Sequence, residues 1–171
     1  MRTSFITKSL RIIPAIVFAF CALPLAAADN DDAEKEQIIK ERRAIYMAAL
    51  KEEGFAPDIT DAGAIKFKKE GLTYIIDVYP ETPAFVHMYA SFGFDIDTDA
   101  VKMKAYQCMS EVMATKKAVK VFLVNNDETI VFATEFFLKD PGDFKDLFQR
   151  YLNTISDGNN LFDHLFAKKD D

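Results

Sequence analysis

Between Ala64 and Phe94, apolar and polar residues alternate. Ile65, Phe67, Tyr74, Ile76 and Val78 follow the two-residue period of a half-buried strand. Glu70-Gly71 interrupts the first run and Pro80 to Pro83 the second. The pattern predicts three consecutive strands: Ala64 to Lys69, Leu72 to Tyr79 and Ala84 to Phe92. A two-residue Glu70-Gly71 turn would pair Phe67 with Tyr74 and Ile65 with Ile76 on one face, leaving Lys66 and Lys68 on the other. In the third strand Val86, Met88, Ala90 and Phe92 share one face, and Phe85, His87, Tyr89 and Ser91 the other.

The flanking segments switch to helical spacing. From Ala33 to Glu53, Ile38, Ile45 and Ala49, with Ile39, Tyr46 and Leu50 beside them, make one apolar stripe that Gly54 terminates. Phe55 to Gly63 is a connector in which Ile59 is a candidate for a brief strand. Asp97, Thr98 or Asp99 can cap a second helix running to about Thr115, with Val101, Ala105, Cys108, Met109 and Val112 as its stripe. Val119 to Asn125 and Thr129 to Leu138 predict a second hairpin, with Asn126-Asp127 at its turn, Leu123 opposite Ile130 and Val121 opposite Phe132. Pro141 opens a third helix on Phe144, Leu147, Phe148, Tyr151, Leu152 and Ile155. Gly158 and two asparagines are expected to break it, leaving Leu161, Phe162, Leu165 and Phe166 in a short final turn. The order is α-β-β-β-α-β-β-α. An α+β fold, with a single five-stranded antiparallel sheet and helices mainly on one face, accommodates it without a crossover.

The first 28 residues stand apart from this pattern. Arg2, Lys8 and Arg11 precede an apolar run from Ile12 to Leu25, shorter than the ~20 residues a membrane span needs. Ala26-Ala27-Ala28 then supplies small residues before Asp29. That is the layout of a secretory signal peptide cleaved after Ala28, and it predicts a periplasmic or secreted protein. The alternatives are an uncleaved anchor, or a lipoprotein modified at Cys21, where the preceding Phe20 is bulky for such a site. After cleavage, residues 29–36 form an acidic segment expected to fray, and 37–171 a single α+β domain.

Half of the residues are hydrophobic, and Phe alone supplies 16, enough for a sizeable core. Losing the leader removes three basic residues and no acidic ones, leaving 18 against 27, a net charge of −9. Such a chain is a poor match for phosphate backbones or anionic lipid heads. No nucleic-acid partner and no stable membrane insertion are expected. Cleavage also leaves Cys108 as the sole cysteine. In an amphipathic helix it is a small core hydrophobe first, and an intermolecular disulfide or a reactive thiol second.

The Gly54-Phe55 helix end, the Ile65-x-Phe67-x-x-x-Gly71 hairpin, Tyr74-x-Ile76-x-Val78, the Phe85 to Phe92 strand and Phe136-Phe137-Leu138 leading to Phe144 together resemble the YbjN-type family. That family is provisionally described as bacterial sensory-transduction regulators and shares the fold of type III secretion chaperones. The resemblance covers roughly Glu36 to Leu152. It implies a non-enzymatic, often dimeric, protein-binding scaffold, and offers no catalytic residue to carry over.

Candidate chemistry is sparse. Asp95-x-Asp97-x-Asp99 starts like a calcium loop, but Ala100 and Tyr106 stand where Gly and a bidentate Glu are required, so an acidic helix cap is the plainer account. His87 and His164 have no Cys or His at ligand spacing, and no metal or cofactor is expected. Ser91, His87 and Asp77 could be drawn as a triad, yet no nucleophile elbow surrounds any serine. The basic clusters at 68–69 and 116–120 read as solvated surface.

One feature exceeds these plain readings. The sheet face away from the helices should be polar, as Lys66, Lys68, Asp77 and Glu135 suggest, yet Ile75, Tyr79, Phe85, Tyr89, Phe122, Val124, Val131 and Phe137 share its parity. An aromatic patch there would bind another protein or a second copy, unless the connector 55–63 or the terminal segment 158–168 covers it. The leading expectation is an exported, non-catalytic protein-binding module and not an enzyme. The alternatives are a small-ligand-binding or hydrolytic domain with a pocket between sheet and helices, and a purely structural envelope protein.

Overall fold

The computed structural model describes residues 26–93 and 96–168. Residues 1–25, which hold most of the expected leader and Cys21, and Asp95 of the calcium-like run lie outside the described residues. Three helices, α1 (Ala26–Glu52), α2 (Asp99–Thr115) and α3 (Phe144–Ala167), accompany β1 (Asp58–Ile59), β2 (Ile65–Lys69), β3 (Leu72–Val78), β4 (Phe85–Gly93), β5 (Lys120–Val124) and β6 (Thr129–Phe137). The helix α1 runs through 29–36, the segment expected to fray.

The fold is α+β with an antiparallel sheet, but the sheet has six strands and not five, in the order β1-β2-β3-β4-β6-β5. The added strand is the two-residue β1, which pairs Asp58 with Lys66 and Ile59 with Ile65. Both hairpins have the expected register: Phe67 faces Tyr74, Ile65 faces Ile76, Val121 faces Phe132 and Leu123 faces Ile130. Their turns use left-handed backbone at Glu70 and Gly71, and at Asn125, Asn126 and Asp127.

The expectation of a sheet without a crossover fails. The segment through α2 carries the chain from β4 past one strand position to the edge, and β6 then inserts between β4 and β5. The reason lies in β6 itself. Ile130, Val131, Phe132, Ala133 and Thr134 are all buried, as suits a strand flanked on both edges by β4 and β5.

One face of the sheet, called inner here, presents Ile65, Phe67, Tyr74, Ile76, Val86, Met88 and Phe132, each 0–1% exposed. Tyr46 and Leu50 of α1, Ala105 and Val112 of α2, and Phe148 and Leu152 of α3 join them in one core. The cap of α2 is Thr98, whose Oγ1 accepts from Val101 N at 3.2 Å. Cys108 is buried in this core. Asp140 caps a 3-10 turn, Pro141–Asp143, that leads into α3.

Gly158 does not break α3, which continues to Ala167 and keeps Phe162 in the core. The glycine is needed for closeness: a Cβ there would lie 3.1 Å from Val119 Cγ2 and 3.6 Å from Phe132 Cδ1. Sequence alone cannot separate that use of glycine from a helix stop.

Candidate functional site

The opposite, outer face is ordered in rungs by strand pairing. Phe85 faces Phe137; His87 lies between Asp77 and Glu135; Tyr89 lies between Ile75 and Ala133; Val131 lies between Ser91 and Phe122. All seven expected contact residues, Ile75, Tyr79, Phe85, Tyr89, Phe122, Val131 and Phe137, therefore share this face, but they do not form one patch. Tyr79, Phe85 and Phe137 make a cluster, with ring centroids 5.6 Å and 5.3 Å apart, and Phe137 is 74% exposed. Phe122, 38% exposed, lies three rungs away, at about 7 Å per rung. Val131 is only 6% exposed and so offers little surface to a partner.

A polar band separates the two ends. His87 Nδ1 meets Asp77 Oδ2 at 3.0 Å, Tyr79 donates to the same oxygen at 3.2 Å, and Lys120 pairs with Glu135. The His87 ring stacks on Tyr89 at 4.9 Å. Burial first, and the Asp77 charge second, hold the Tyr79 hydroxyl up at about 12. The Tyr89 hydroxyl is raised for the same two reasons in the same order. Ser91 does not complete a triad: it sits four residues along β4 from His87, roughly 13 Å at strand rise. Parity could place Asp77, His87 and Glu135 on this face, but only the β3–β4 and β4–β6 pairings align them.

The terminal segment does not cover the outer face, since Gly158 and Phe162 pack on the inner one. The loop before β2 does reach it. A cleft of about 460 Å³ is lined by Arg43, Thr60, Ala62 to Ala64, and Ile75, Asp77, Tyr79 and Tyr89. Arg43 was one charge among many on a helix, and nothing local in the sequence marks it.

A second recess of about 390 Å³ opens between the inner face and the end of α3, walled by Phe92, Phe132, Phe162 and Phe166 with Asn159 and Asp163. Burial raises the Asp163 carboxyl above its ordinary value. On α2, Met103, Tyr106 and Met113 are exposed on the side away from the core, a second stripe besides the buried one of Ala105, Cys108, Met109 and Val112. Among the described residues no group of three or more His, Cys, Asp or Glu side chains is placed to hold a metal. Nor is any helix among the described residues long and apolar enough to cross a membrane. Asp97 and Asp99 are exposed beside the Thr98 cap, and His164 is exposed in the last turn of α3.

No family model matches the chain. No curated protein matches it either. Among solved structures it is similar to the crystal structure of YbjN from E. coli, provisionally called a transcription regulator. The TM-score is 0.51 at 14% identity, over 67% of this chain and 83% of that chain. At that identity the likeness shows the fold, which is YbjN-like.

Proposed function

We propose that this chain is an exported, non-catalytic protein-binding module that grips an envelope protein, or a second copy of itself, through its outer sheet face. The observation that carries the reading is the Tyr79–Phe85–Phe137 cluster, in which Phe137, at one end, is 74% exposed. Leaving so large a ring in water forgoes about 2 kcal/mol of burial, which a partner can recover. The YbjN-like fold supports a scaffold role. The net charge of the cleaved chain supports a protein partner over nucleic acid or an anionic membrane.

Capture from periplasmic extract tests it. The wild-type chain should retain a specific partner, or light scattering should show a concentration-dependent dimer. Phe137→Asp should abolish either one while leaving the melting temperature nearly unchanged. Retention of the same partner by Phe137→Asp and by Phe85→Asp would overturn the reading. Export is tested separately: N-terminal sequencing of the periplasmic product should begin at Asp29.

The second reading is a small-ligand domain, favoured by the aromatic recess between α3 and the inner face. Filling it with Gly93→Trp should then block ligand uptake without unfolding the chain.

A further inference from the structure

The cleft beside Arg43 has a chemistry distinct from the aromatic cluster. Arg43 is half-buried, its Nε is shielded from solvent with no hydrogen-bond partner, and it forms no ion pair among the described residues. A guanidinium held in that state is poised for an acceptor that the chain does not supply.

Its position is built. The guanidinium lies directly over Gly63, where a Cβ would come within 2.2 Å of Nη2. Gly63 has φ +83°, a left-handed conformation that glycine adopts freely. The loop is closed by Gly63 N donating to Thr60 O at 2.8 Å, Thr60 N to Ala64 O at 2.9 Å and Ala64 N to Thr60 Oγ1 at 3.0 Å. Any larger residue at 63 would push the guanidinium out of place.

The rest of the cleft sets the ligand class. Ile75 and Tyr89 face each other across β3 and β4 and give an apolar floor. Asp77 also lines it, with Oδ2 already engaged by Tyr79 and His87. The Asp77 carboxylate in the wall repels a dianion such as phosphate more strongly than a monoanion, so a single carboxylate on the fork of Arg43 is the better match. The volume, about 460 Å³, suits a small organic molecule.

We infer that this cleft binds a small monocarboxylate with an apolar or aromatic body, its carboxylate on Arg43 and its body over Ile75 and Tyr89. Two sources carry that chemistry: a free organic acid and the C-terminus of a peptide. The cleft shares Tyr79 with the aromatic cluster, but the inference uses neither Phe85 nor Phe137.

The test is titration of the protein with 3-phenylpropionate, with N-acetylphenylalanine as a chain-end mimic, and with 3-phenylpropanamide as a neutral control, followed by amide correlation spectra. Saturable shifts are expected at Thr60 to Ala64 and Ile75 to Tyr79, with Kd on the order of 1 mM or tighter for at least one acid. The amide should bind about tenfold more weakly, and Arg43→Gln should weaken acid binding about tenfold. The tighter of the two acids identifies the source. Arg43→Lys keeps the charge and stem, guards against misfolding of the Gln variant, and should bind several-fold more weakly than wild type because a point charge replaces a fork. Phe137→Asp should leave acid binding unchanged, which separates this site from the protein-binding surface. No saturable shift with either acid, equal binding of the amide, or unchanged affinity in both Arg43 variants would overturn the inference.

Discussion

The two faces of one sheet are built from alternate residues of the same strands, yet they obey different rules. The inner face is apolar but for Thr134 and closed by three helices. The outer face is banded: an aromatic cluster at one end, a charged rung of Asp77, His87 and Glu135, then a mixed region around Tyr89 and Phe122. Its buried members, Val131 and Ala133, lie outside the helix-packed core and beside residues of the neighbouring strands. Burial on this sheet is therefore of two kinds, and only one reports on core packing.

Phe132, fully buried and in ring contact with Phe92 and Phe162, is where the two faces differ most. Phe132→Ala should cost about 3–5 kcal/mol in urea unfolding. Next in size is Gly158→Leu, which forces a side chain into Val119 and should cost about 1–3 kcal/mol, even though leucine is the better helix former. Were Gly158→Leu stabilising instead, the close contact between α3 and the sheet would be wrong.

Thr134 sharpens the inner rule from the other side. It is the buried polar residue of the inner face, and its Oγ1 has no partner. Thr134→Val keeps the shape and should add about 1 kcal/mol. On the outer face, Phe137→Ser should change stability by no more than about 0.5 kcal/mol. A loss comparable to that of Phe132→Ala would show that the two faces are not different in kind.

The smallest expected signal is spectroscopic. In an alkaline absorbance titration Tyr79 should ionise near pH 12, and Asp77→Asn should bring it part of the way down, since burial remains the larger cause. Tyr79 is held protonated in the fold more strongly than in the unfolded chain, so its contribution is complete below pH ~10 and falls as pH rises towards 12.

Much of the inner face was legible in sequence because its causes are local. Period-two alternation and the Glu70-Gly71 turn set the Phe67–Tyr74 register, Gly54 ended α1 with φ +87°, and Thr98 capped α2. The insertion of β6 was not legible, since strand order depends on which strand can be buried on both sides, a comparison across the whole sheet. Two residues, Asp58 and Ile59, carry no period at all. On the outer face, parity identified the residues that share the surface, but the grouping into clusters needed the rungs. Arg43 left no trace because its meaning comes from Gly63 and Ile75, far away along the chain.

The borders of the sheet carry a consequence of their own. One margin is β1, only two residues long; the other is β5, of five, beginning at the charged Lys120 and ending in a left-handed turn. Neither offers a long ribbon of open amides on which a foreign strand could zip up. Growth into fibrils by backbone pairing is thus discouraged at both rims, and whatever this molecule joins must be recognised side chain by side chain, where a single substitution can undo it.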